Sequence, residues 1–202
     1  MFEIGADEGD KPGEFQLWKT GAELNTCLPF PVSHHAICIN EDTGVMGIVT
    51  GMGTAKATAA VMALGLDPRF DLRKAYWLVA GIAGIDPADA SVGSAAWATW
   101  LVDGDLAHQI DAREIPDTWS SGYFPLFGTA PITKDTTLDL NKLNKHGQSN
   151  NGEVYQLNAK LSDWAFNLTK DLSLPDYPSM QALRARYKGY PMAQKPPFVL
   201  QG

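Results

Sequence analysis

The chain has 202 residues, 45% hydrophobic and 19% charged, which is long enough for a packed core and ordinary for a globular protein. Its net charge is −7 with no basic stripe to track a phosphate backbone, so no nucleic-acid partner is expected. No apolar run approaches bilayer length, and Glu3, Asp7, Glu8 and Asp10 crowd the start, unlike a signal peptide.

Residues 1–14 read as a loop, with Gly5, Gly9 and Pro12-Gly13. Residues 15–25 suit a short helix or an irregular arm. Leu28-Pro29-Phe30-Pro31 is expected to be extended, because proline excludes helix and biases its predecessor toward β angles. Residues 36–40 then read as a strand, and Glu41-Asp42-Thr43-Gly44 as the hairpin turn into the next. That next run, Val45-Met46-Gly47-Ile48-Val49-Thr50, is short and β-branched and predicts a buried strand ending in Gly51-Met52-Gly53. Ala57, Val61 and Leu64 recur at helical spacing over 54–66, and Asp67-Pro68 breaks the pattern. Ala75 to Ala80 is again strand-like and ends in Gly81-Ile82-Ala83-Gly84. Strand, helix and strand in some forty residues predict a parallel βαβ unit, with both strands ending in glycine turns.

Beyond it, Asp86-Pro87-Ala88-Asp89-Ala90 is a loop and 93–103 a further strand turned by Asp103-Gly104-Asp105. Residues 116–131 are rich in aromatics and glycine and suit a loop packed by its own side chains. Residues 144–152 are polar. Val154, Leu157, Leu161, Trp164 and Leu168 predict a helix over 154–172 with Asn151 at its cap, stopped by Pro175 and Pro178. Ser179 is placed to cap a second helix over 180–187, and Phe198-Val199-Leu200-Gln201 reads as a beginning strand. The basic run Arg184, Arg186, Lys188 and Lys195 fits a solvated face.

Ligands of open α/β sheets settle outside the carboxyl ends of the strands, where both glycine turns fall. Gly51 and Gly53 remove two Cβ atoms where the chain turns into a helix, which opens backbone N–H groups at a positive helix end. A P-loop is excluded by spacing, since Lys56 follows Gly53-Thr54-Ala55 and precedes Ala57. The dinucleotide fingerprint fails too, because Lys56 stands where a third small residue is needed.

Thr50-Gly51-Met52-Gly53, the small-residue helix and Ala80-Gly81-Ile82-Ala83-Gly84 resemble the core of the nucleoside phosphorylase superfamily. More closely the chain resembles the purine nucleoside permease family. That likeness includes Met1-Phe2-Glu3-Ile4-Gly5-Ala6-Asp7, Gly9-Asp10-Lys11-Pro12-Gly13-Glu14, Leu28-Pro29-Phe30-Pro31 and Ile110-Asp111-Ala112-Arg113-Glu114. Its most specific run is Ala63-Leu64-Gly65-Leu66-Asp67-Pro68-Arg69-Phe70-Asp71-Leu72. The resemblance implies a mixed, largely parallel central sheet flanked by helices. It implies one nucleoside-binding α/β domain over 1–202, incomplete at both ends because no apolar strand precedes residue 1 and the last strand stops at Gly202.

The resemblance also implies a purine nucleoside as ligand, association with nucleoside uptake, and no cofactor. The site would lie at Gly51, Met52, Gly53, Gly81, Ile82, Ala83 and Gly84. Cleavage of the N-glycosidic bond is the alternative, and there Glu3 would activate the attacking water, as a Glu after the first strand does in related hydrolases. Such chemistry needs a nucleophile, an acid for the purine and groups that stabilise a cationic sugar. Phosphorolytic relatives tend to carry a hydroxyl residue where Ile82 stands, which argues against phosphate as nucleophile.

The remaining constellations favour bland readings. His34 and His35 point to opposite faces of a strand, and His108 and His146 lie far off, so no metal site is expected. Cys27 and Cys38 lack metal-like spacing and leave a disulfide open. Asp111-Ala112-Arg113-Glu114 suits a local ion-pair group better than a ribose or subunit contact. A homo-oligomer is compatible with the sequence, and the compartment is not fixed by it.

Overall fold

The computed structural model describes residues 13–33, 35–103, 107–125, 133 and 154–202. The chain folds as two compact units, Met1–Gly84 and Ile85–Gly202.

In the first unit, α1 (Glu14–Gly21) precedes an antiparallel sheet of β1 (Thr26–Leu28), β2 (Ile37–Asn40) and β3 (Val45–Gly47), in that order. The hairpin forms where the sequence places it. Asn40 ends β2, and its side-chain oxygen accepts from the backbone N–H of Asp42 at 3.1 Å and of Thr43 at 3.2 Å. Gly44 completes the turn at φ 70°, a left-handed angle that a Cβ disfavours.

Alternation along β2 sorts two small cores. Cys38 packs with Phe15 and Leu24, while Ile37 joins Phe30 and Leu64, with Ile39 and Met46 against them. Leu64 comes from α2 (Thr54–Gly65), whose buried positions are Ala60 and Leu64. Cys27 and Cys38 are directly opposed in the β1–β2 register and form a disulfide.

The run after α2 works as a strap. Asp67 accepts from the N–H and Nε of Arg69, and Arg69 Nη1 donates to the Pro29 carbonyl at 3.1 Å. Phe70 and Leu72 then pack against the Phe30–Ile37–Leu64 core.

In the second unit, the expected strand over 93–103 is two. β4 (Ala95–Trp97) pairs in parallel with β9 (Val199–Gln201), and β5 (Trp100–Val102) pairs antiparallel with β8 (Val154–Gln156). The break falls at Thr99, whose N–H goes to the Gly202 carbonyl at 2.6 Å while its own carbonyl takes Leu157 N–H at 3.0 Å. β6 (Ala107–Gln109) pairs with β7 (Tyr123–Pro125), and a single 3-10 turn covers Ala112–Glu114.

The helix expected over 154–172 starts later, as α3 (Ala159–Thr169), because 154–156 is taken into a sheet. Its cap is Asn158, which accepts from Leu161 N–H at 3.2 Å; Asn151 lies outside the described residues. α3 packs on the β4–β9 pair through polar contacts. Ser162 Oγ donates to the Ala98 carbonyl, Trp97 Nε1 to Thr169 Oγ1 at 2.8 Å, and Gln201 Nε2 to Ser162 Oγ and Asp163.

The second helix, α4 (Pro178–Arg184), begins with proline in its first turn, a position where its missing N–H costs nothing. Arg184 is buried and pairs with Asp176 at 2.7 Å, which ties the preceding segment to α4.

The molecule is thus mixed α/β, with small sheets and four helices among the described residues. The largely parallel central sheet is not found there: β4–β9 is the one parallel pair among the described strands. Val45–Gly47 pairs only with β2, and residues 75–80 enter no sheet, so the expected βαβ unit is not closed. A strand needs at least one hydrogen-bonded neighbour, and 75–80 has none among the described residues.

Candidate functional site

The first glycine turn leaves β3 through Ile48, Val49 and Thr50 and enters α2. Gly51 and Gly53 have φ of 78° and 89°, so both need glycine for their backbone angle. Gly53 is the N-cap of α2 and offers no side chain to the first-turn N–H groups. Those of Thr54, Ala55 and Lys56 therefore point outward at the positive end of the helix dipole, with no acid in the first turn to neutralise it. Met52 and Gly53 are exposed and Gly51 half-buried.

The second glycine segment, Gly81-Ile82-Ala83-Gly84, expected as a turn, lies in no turn, helix or strand and is exposed throughout. No atom outside the immediate neighbours lies within 4 Å of a Cβ built at Gly53, Gly81 or Gly84. The backbone is open to approach at all three. A cavity lined by Ile85, Pro87, Ala90, Val92, Tyr187 and Ala193 has a volume of about 20 Å³. It has room for a water molecule, and ligand pockets are roughly 300–1,000 Å³.

Between the two glycine segments in sequence, Asp67 and Asp71 each pair with the arginine two residues on. Hydrogen bonding to the Arg69 side chain lowers the Asp67 pKa, and Arg73 does the same to Asp71. The pattern recurs at Asp111, whose carboxylate accepts from the N–H, Nε and Nη2 of Arg113 and is held at about 2 mainly by that side chain. Asp111 caps its 3-10 turn, so the local ion-pair reading is the one the structure supports. Asp-x-Arg at 67, 71 and 111 was the signal in the sequence for this device, and the strap role of Asp67 and Arg69 was not read from it.

Glu3, His34 and His146 lie outside the described residues. Among the described residues no group of three His, Cys, Asp or Glu side chains is placed to hold a metal ion. No helix there is long and apolar enough to cross a membrane.

The family model described as purine nucleoside permease matches residues 1–202. The chain belongs to the purine nucleoside permease family. A probable purine nucleoside permease of Schizosaccharomyces pombe is 33% identical over 162 residues, 80% of this chain and 45% of the relative. A purine nucleoside permease of Candida albicans is 35% identical over 130 residues, 63% of this chain and 29% of the relative. The chain thus spans less than half the length of these relatives. No solved structure matches. Within residues 63–72, Arg69 ties the chain to the Pro29 carbonyl and Phe70 and Leu72 pack on a core, while the backbone at Gly53, Gly81 and Gly84 is open.

Proposed function

We propose that this chain binds purine nucleosides and serves in their uptake. The carrying observation is the match of the purine nucleoside permease family over residues 1–202. The ligand would lie against backbone at Gly51, Met52 and Gly53 and at Gly81, Ile82, Ala83 and Gly84. Support for that placement is chemical. Outward N–H groups at the start of α2 suit the hydroxyls of a ribose or the ring nitrogens of a purine, and glycine lets such a ligand approach the main chain.

A nucleoside phosphorylase-like fold is part of the same proposal. Its support is the order of glycine turn, small-residue helix, apolar segment 75–80 and second glycine segment. Glu3 belonged to the bond-cleaving alternative, and no described residue favours that reading over binding. Ile82 brings no hydroxyl to the second segment, so inorganic phosphate is expected neither to compete nor to assist.

The test is residue-resolved. Titrating inosine into the labelled protein should move the amide resonances of Gly51, Gly53, Gly81 and Gly84 in a saturable way, with 10 mM phosphate leaving the curve unchanged, a concentration of about the order that would fill a weak anion site. Saturable shifts confined to other residues would relocate the site, and shifts with phosphate alone would make it an anion site.

A further inference from the structure

The Cys27–Cys38 disulfide closes a ring over residues 27–38, and the groups that hold α2 and the strap lie on that ring. Phe30 and Ile37 are two of the three buried members of the core that takes in Leu64 of α2. Ile37 adjoins Cys38 and is fully buried, and Phe30 stands three residues after Cys27. Pro29 supplies the carbonyl that accepts from Arg69 Nη1, and Phe70 and Leu72 of the strap pack on the same core. The cross-link therefore ties together the two segments that carry the buried partners of Leu64.

The two cysteines differ in access. Cys27 is exposed on β1, which pairs with β2 alone among the described strands. Cys38 is buried against Phe15 and Leu24. Apart from the disulfide, β1 is held to β2 by three residue pairs along one edge. A short, exposed edge of this kind is where local opening starts.

We propose that the ring is a redox latch on α2. Closed, it seats α2 and the strap; opened by a dithiol, it lets β1 and Pro29 move away and frees both. The latch is shut in an oxidising compartment and open in a reducing one. One thiolate of the dithiol attacks the exposed Cys27 sulfur, forms a mixed disulfide and expels Cys38 as a thiolate, which takes up a proton. The second thiol attacks the dithiol's own sulfur and releases Cys27. The protein gains two electrons and two protons, and the dithiol becomes a disulfide. Because Gly53 is the N-cap of α2, the first glycine turn moves with the latch. Ring and core carry this device, independently of what the protein binds.

Native-state hydrogen exchange on the full chain tests it, without nucleoside or denaturant. Dithiothreitol should make two thiols titratable in the folded protein. The amides of Leu64 and Phe70 should then exchange at least about tenfold faster relative to those of β2–β3 than they do in the oxidised protein. Reoxidation with oxidised glutathione should restore the first ratio. Cys27→Ser, which leaves Cys38 in its packing, should show the reduced ratio with and without reductant. A disulfide that stays closed to dithiothreitol in the folded protein would overturn the proposal. So would acceleration by one common factor in α2, the strap and β2–β3, which marks a cross-link that supports overall stability and nothing more. A Cys27→Ser chain that does not fold would overturn it as well, since the first unit would then have no open state to switch to.

Discussion

Removing the Cys27–Cys38 cross-link should weaken the first unit by a large part of an ordinary stability margin. The two cysteines are 11 positions apart and join β1 to β2 at directly opposed positions. Loop-closure entropy for a ring of that size corresponds to about 3 kcal/mol at room temperature. Cys38 also packs against Phe15 and Leu24, so Cys38→Ala removes contacts from a small core and adds roughly 1 kcal/mol. A whole domain's margin is only about 5–15 kcal/mol. The double variant Cys27→Ala, Cys38→Ala should therefore unfold at clearly lower urea, and a reductant should move the native protein most of the way to the same midpoint. Far-ultraviolet circular dichroism in urea, with and without phosphine reductant, reads both. An unchanged midpoint for native protein in reductant, or ready alkylation of both thiols without reductant, would refute the reasoning.

Three further outcomes are expected. A Cβ at Gly47 would stand 2.7 Å from the Phe15 ring and 2.8 Å from Leu24, so Gly47→Ala should cost about 1–3 kcal/mol of stability by urea titration. Gly81→Ala and Gly84→Ala point into open space and should change stability by less than about 0.5 kcal/mol, so any loss of nucleoside affinity in them reports contact between segment and ligand. Asp111 binds its proton less readily folded, at about 2, than unfolded, at about 3.9, so its contribution is present above pH 4 and is lost as pH falls through 2. Carboxyl carbon shifts should show that midpoint in native protein and a normal one in Arg113→Ala.

Features set by a few neighbouring residues were legible in the sequence. The 41–44 turn follows from Asn40 and Gly44, α2 from its unbroken helical spacing, and the glycines at 51 and 53 from backbone angles that other residues resist. Features that depend on distant partners were not. Residues 75–80 have strand chemistry, but a strand exists only when another one pairs with it. The spacing of Leu161, Trp164 and Leu168 marked α3 as a helix, but the side it buries is that of Ser162 and Ala165. There the polar groups of Ala98, Trp97 and Gln201 bind its other face, and no periodicity records that. The disulfide was open in the sequence because only the β1–β2 register brings Cys27 opposite Cys38. The sequence offered two glycine segments as candidate site; the structure gives Gly51 and Gly53 left-handed angles, while 81–84 forms no turn, and the backbone at Gly53, Gly81 and Gly84 is open.

Equilibrium dialysis of the 202-residue protein against labelled inosine, with labelled uridine in parallel, tests the central claim most directly. The account predicts saturable retention of inosine that unlabelled adenosine displaces and uridine does not. Retention of inosine no greater than that of uridine would contradict it.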